Sequence, residues 1–191
     1  NNEMSGNVTL TTGIDNVVVG GITSELLEKT VASNNAFMGT LTLSGTSLNT
    51  TLGGLYGRVS SNRVFDIASD KSVTQGRIKI ADYLSNSATE IYAGGFVGKV
   101  GAGVELTFNG YETSAIIEFD QKVARASSYI CLGGVLGGCD YKDANKAASV
   151  CFENVTTHGE LRTAYARVKS SMSRGFFGGL AGLVNATDVR F

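Results

Sequence analysis

Three cysteines, one histidine and a scatter of carboxylates are the side chains here with the chemistry to attack a substrate or hold a metal. His158 sits in Thr156-Thr157-His158-Gly159 with no Ser or Cys nucleophile pattern around it, so it reads as a solvated turn residue. Cys139 and Cys151 lack partner ligands at metal-site spacing. They bracket a polar stretch, Asp140-Tyr141-Lys142-Asp143-Ala144-Asn145-Lys146, in a segment longer than its counterparts. A disulfide closing that loop would stabilise by about 3 kcal/mol on chain-entropy grounds. This bridge is the favoured reading, with Cys131 left over and buried; the rival is three thiols packed as small hydrophobes. Pairs drawn from Asp66, Asp70, Glu118, Asp120, Asp140 and Asp143 are the raw material of a glycoside-cleaving site. Asn-x-Thr sequons at Asn7, Asn49, Asn154 and Asn185 are glycosylation candidates if the source is a eukaryote. No catalytic residue, cofactor or metal is expected.

The elements that would position such residues are announced by glycine. A box of the form Gly-Gly-apolar-x-Gly occurs as Gly53-Gly54-Leu55-Tyr56-Gly57, Gly94-Gly95-Phe96-Val97-Gly98, Gly133-Gly134-Val135-Leu136-Gly137 and Gly178-Gly179-Leu180-Ala181-Gly182. The spacings are 41, 39 and 45 residues, and a degenerate copy, Gly20-Gly21-Ile22, lies 33 residues before the first. None ends in the Lys-Ser/Thr of a phosphate-binding loop. After each box an alternating run closes on Phe, clearest at Val104-Glu105-Leu106-Thr107-Phe108 and repeated at Val150-Cys151-Phe152 and Val189-Arg190-Phe191. Phe65 and Phe37 are read into the same place. A second strand-like segment follows, as in Arg77-Ile78-Lys79-Ile80 and Ile116-Ile117-Glu118-Phe119. Alternation at period 2 marks strands with one buried face. Glycine tolerates positive φ and close backbone approach, so a recurring box predicts the same tight corner in each unit.

Five units follow, at approximately 1–37, 38–65, 66–108, 109–152 and 153–191, within one domain. Units that cannot bury a face alone become stable by stacking, which predicts an all-β solenoid of parallel β-helix type. The box resembles the Gly-Gly-Leu-Val-Gly core of GLUG repeats in bacterial surface proteins, and its pairing with a nearby Phe is similar to repeats in polymorphic outer-membrane adhesins. That resemblance implies a β-helical, secreted, adhesive or surface-layer protein. The period near 40 is longer than one usual coil, and a β-sandwich or jelly roll is the alternative fold.

Composition agrees with strands and turns: 25 Gly, no Pro and no Trp, with Ser, Thr and Asn abundant. Sixteen basic and 17 acidic residues leave a net charge of -1, with no charge run suited to nucleic acid or anionic lipid. Apolar runs fall far short of the roughly 20 residues a membrane helix requires. One stretch breaks the pattern: Thr23-Ser24-Glu25-Leu26-Leu27-Glu28-Lys29-Thr30-Val31 reads as a short capped helix. The start at Asn1-Asn2-Glu3 reads as a mature secreted product or a piece of a longer chain. Asn1 to Leu10 parallels Glu153 to Leu161, so the amino terminus supplies what the carboxy end lacks. Asn7, Val8, Leu10, Val189 and Phe191 are therefore the assembly candidates. They imply head-to-tail self-association by strand addition or contact with neighbouring repeats, at the cell surface. A carbohydrate-binding or carbohydrate-cleaving β-helix is the alternative, favoured if Tyr56, Tyr83, Tyr92, Tyr111, Tyr129 and Tyr165 form an exposed row.

Overall fold

The computed structural model describes residues 2–27, 34–45, 49–60, 64–68, 73–83, 90–121, 129–139, 148–165 and 174–191. Among them every regular element is a strand and every pairing is parallel. The first circuit holds β1 (Asn2–Met4), β2 (Asn7–Thr12), β3 (Asn16–Gly20) and β4 (Thr23–Leu26). The next holds β5 (Asn35–Phe37), β6 (Thr40–Gly45), β7 (Asn49–Gly53), β8 (Tyr56–Val59) and β9 (Val64–Ala68). Then come β10 (Val73–Thr74), β11 (Arg77–Tyr83), β12 (Glu90–Gly94), β13 (Val97–Val100) and β14 (Glu105–Asn109). They are followed by β15 (Glu112–Thr113), β16 (Ile116–Gln121), β17 (Tyr129–Gly133), β18 (Leu136–Cys139) and β19 (Ala148–Glu153). The last are β20 (Thr156–Thr157), β21 (Glu160–Tyr165), β22 (Arg174–Gly178), β23 (Ala181–Leu183) and β24 (Ala186–Arg190).

Each sheet collects the corresponding strand of every circuit in chain order. The sheets run β1-β5-β10-β15-β20 (sheet A), β2-β6-β11-β16-β21 (B), β3-β7-β12-β17-β22 (C), β4-β8-β13-β18-β23 (D) and β9-β14-β19-β24 (E). Sandwiches and jelly rolls are built from antiparallel strands, so this topology sets them aside.

Alternation explains which residues turn inward. In sheet B, Leu41, Ile78 and Ile117 are register partners, as are Leu43, Ile80 and Phe119, and all six are buried. Between them Thr42, Lys79 and Glu118 point outward. Burying one such side chain is worth roughly 1.5–3 kcal/mol. In sheet E, Phe152 stacks between Phe108 and Phe191, with ring centroids 5.1 and 5.6 Å apart. Sheet A adds a buried hydroxyl step, Thr74 Oγ1 donating to Thr113 Oγ1 at 2.5 Å.

The glycine boxes form the corners from sheet C to sheet D. Gly53, Gly94, Gly133 and Gly178 close their sheet-C strands in register, and the second glycine and apolar residue make the turn. The corners bond to one another as the strands do, for example Phe96 N–H to Val135 O at 2.9 Å and Val135 N–H to Leu180 O at 3.0 Å. Of the two reasons for glycine, close approach is the operative one. The positive-φ glycines are Gly45, Gly103 and Gly110, none of them in a box. A Cβ on Gly94 would overlap the Val97 carbonyl oxygen, and one on Gly95 the Gly134 carbonyl oxygen of the adjacent circuit.

Three expectations are corrected. The capped helix is not formed at Thr23–Leu26, which is strand β4 paired to β8 with Leu26 buried; residues 28–31 lie outside the described residues. Leu26 gains its buried place opposite Val59, which local capping signals cannot offset. The Phe marker also fails in two copies: Phe37 belongs to sheet A, and Ile67, not Phe65, is the register partner of Phe108. Finally, Cys139 and Cys151 form no bridge, and all three cysteines are free thiols. Cys139 ends β18 with its side chain buried, whereas Cys151 takes an outward position on β19 between the buried Val150 and Phe152. The two side chains thus lie on different sheets with opposite facing.

Candidate functional site

Beyond the box, sheet D doubles back so closely that only glycine fits between it and sheet C. A Cβ on Gly57 would lie 2.8 Å from the Val19 carbonyl oxygen, and one on Gly98 2.5 Å from that of Leu52. Farther from this apex the two sheets diverge and side chains enter the angle. From sheet C come the register rows Asn16–Asn49–Glu90 and Val18–Thr51–Tyr92; from sheet D comes Glu25–Arg58–Lys99. Much of this set lines a cleft of about 270 Å3.

The cleft is polar, and its charges are paired. Lys99 Nζ lies 3.7 Å from Glu90 Oε2 and 4.5 Å from the centre of the Tyr92 ring. Both partners are mostly buried, at 13% and 20% side-chain exposure. Arg58 Nε lies 3.8 Å from Glu25 Oε1, whose oxygen also accepts a hydrogen bond from the Ser60 hydroxyl. Arg58 Nε is itself buried and has no hydrogen-bond acceptor among the described residues. Asn49 Nδ2 donates to Asn16 Oδ1 at 2.8 Å. One end is closed by Tyr92, whose Cδ1 and Cε1 would stand 3.0 Å from a Cβ at Gly138. Beyond Tyr92 in its row lies Cys131, fully buried, its thiol pushed up to about 12 first by burial, against the lowering field of Lys99.

The remaining candidates are dispersed. Asn7, Val8 and Leu10 lie on β2, the outermost strand of sheet B, where Val8 and Leu10 are 40% and 38% exposed. Val189 lies on β24, at the opposite end of the stack in sheet E, and Phe191 beyond it is 82% exposed. Of the sequons, Asn7 and Asn154 are exposed, Asn154 in a turn at φ 53°, Asn185 is half-buried, and Asn49 lines the cleft. Tyr56, Tyr92 and Tyr111 are buried, and Tyr129 stacks on Phe176 at 6.4 Å; the side chains of Tyr83 and Tyr165 lie outside the described set. The exposed tyrosine row is therefore not formed by these four.

Of the six candidate carboxylates only Glu118 and Asp120 can be placed, both on β16. Glu118 is held by Arg162 at 3.1 Å and Arg77 at 3.9 Å, and Asp120 faces outward beside it. Asp70, Asp140 and Asp143 lie outside the described residues, as does the side chain of Asp66. His158 is exposed in its turn, 3.8 Å from Glu112. Among the described residues no three His, Cys, Asp or Glu gather as metal ligands.

The sequence carries one faint signal of the cleft. Glu90-x-Tyr92 before a box and Gly98-Lys99 after it put opposite charges on facing strands, while Asn49-x-Thr51 with Gly57-Arg58 puts a carboxamide opposite a cation. Compared with known proteins, the chain matches no family, no characterised protein and no solved structure. Its geometry is therefore what carries a functional reading.

Proposed function

We propose that the chain is a β-solenoid of about five stacked units that serves as a structural subunit of an extracellular fibre or adhesin stalk, joined end to end. The observation that carries this reading is the pair of end faces. Among the described residues, β1, β2, β3 and β4 present one row of parallel edges, and β20, β21, β22, β23 and β24 present another. Such edges are templates for strand addition. The same edges would equally receive neighbouring repeats of a longer chain.

Charge supports the match. Among the described residues, the circuit of β1 to β4 carries Glu3, Asp15 and Glu25, a net of -3. From β20 onward the described residues carry Arg162, Arg174 and Arg190 against Glu160 and Asp188, a net of +1. Opposite ends of opposite sign steer a heterologous, head-to-tail contact and oppose head-to-head pairing. Extracellular placement rests on the resemblance to secreted surface repeats.

Size-exclusion chromatography with negative-stain electron microscopy tests the reading. Unbranched fibres are expected, shorter or fewer at high salt because the attraction between ends is screened. Removing residues 1–12 should leave a folded monomer. A wild-type chain that stays monomeric at every concentration, or fibres indifferent to the truncation, would overturn end-to-end assembly.

A further inference from the structure

We infer that the cleft between sheets C and D is a binding site for one residue of a neutral sugar. Its walls are Asn16, Asn49, Thr51, Arg58, Glu90 and Lys99. At about 270 Å3 it lies just below the roughly 300–1,000 Å3 of pockets for drug-sized ligands, which suits one small polar molecule. Aromatic stacking cannot be the basis, because Tyr92 is buried beneath Lys99.

The chemical class follows from the charges. Arg58 stands against Glu25 and Lys99 against Glu90, so the two cations and two carboxylates balance. An ionic ligand would compete with pairs already made, whereas an uncharged one leaves them intact. The walls alternate donors and acceptors: guanidinium, carboxamides, a hydroxyl and a carboxylate. A sugar hydroxyl both donates and accepts, and so matches such a surface at every point. Arg58 lines the cleft with a partly exposed side chain, and its guanidinium carries further N–H donors for a ligand hydroxyl oxygen.

The site is also bounded. In the Tyr92 row, Val18 and Thr51 are smaller, and one circuit on Tyr92 stands over Gly138, whose register partner in the Thr51–Lys99 layer is Lys99. Thr51→Tyr places a ring beside Lys99, the counterpart of Gly138, and should crowd a ligand out of the cleft. Thr51 lies on β7 and Arg58 on β8, one circuit in from the end-face strands, so this inference and the assembly reading fail separately.

The experiment is amide NMR titration of the full chain with glucose, galactose, mannose and N-acetylglucosamine, each alone, and with sodium acetate as an ionic control. A saturable shift confined to Asn16, Asn49, Thr51 and Arg58 is expected for at least one sugar, unchanged by salt. Thr51→Tyr should abolish it and Arg58→Ala weaken it by about tenfold or more, with the remaining spectrum preserved. If Thr51→Tyr disturbs the fold, Asn49→Ala on the cleft wall serves as the milder variant. No saturable shift with any of the four sugars, or shifts retained in Thr51→Tyr, would overturn the site. Shifts with acetate that vanish in salt would overturn the neutral class.

Discussion

At Gly94 a single added methyl group would meet the Val97 carbonyl oxygen and the Gly137 backbone nitrogen, and the collision recurs at Gly53, Gly133 and Gly178 with their own neighbours. These obstacles are backbone atoms, which cannot turn aside as a side chain can. Gly94→Ala is expected to cost roughly 1–3 kcal/mol, the range for overpacking. Gly13 has open space around it, and Gly13→Ala should instead stabilise by about 0.5 kcal/mol. Urea denaturation of both variants checks the contrast, and equal effects would mean the box glycines are not needed for close approach. Cys131 offers a second test. Its folded pKa, about 12 against an ordinary 9.0, favours the neutral thiol, so its contribution to stability is whole below pH 9 and fades as pH rises toward 12. The alkaline decline should be shallower in Cys131→Ala. It should not vanish, because burial also raises Tyr56 above its ordinary value.

Among the elements, the Phe column shows how far periodicity reads true. Phe152 lies sandwiched between two rings, while Phe191 has one neighbour and is mostly exposed. Phe152→Ala should cost about 3–5 kcal/mol and Phe191→Ala less than about 1 kcal/mol, read as shifts in urea midpoint at constant m. Similar shifts for the two would mean that the column does not carry the stack. The boxes and the Phe residues at 108, 152 and 191 were legible because each needs one side-chain type: nothing, or a large apolar ring. Phe65 misled because sheet register is set by backbone bonding, and the place opposite Phe108 is held by Ile67. The helix reading over Thr23–Leu26 failed for a related reason. Ser24, Glu25 and Leu26 carry good local helix signals, but Leu26 buries against its neighbours only as a strand. The cysteine bridge was inferred from spacing alone, and facing is what forbids it. The cleft was the least legible feature, since its walls come from strands of two sheets and three circuits that no single stretch of sequence displays.

For the whole molecule, the net charge of -1 conceals ends of opposite sign, and the outermost strands of every sheet lie at opposite poles of the stack. Each strand meets its successor in the next circuit at offsets such as 33 residues from Asn16 to Asn49 and 45 from Tyr129 to Arg174. The hydrogen bonds between circuits therefore run along the line that joins the two poles. A load applied at the poles pulls these bonds apart in sequence, as a zip opens, and does not shear a whole set at once. Stretching single molecules should give a sawtooth of modest force, each tooth freeing roughly 110–160 Å of extended chain. A single rupture at high force would contradict this. A material made this way lengthens under strain and dissipates work turn by turn, a coil of rope and not a rod.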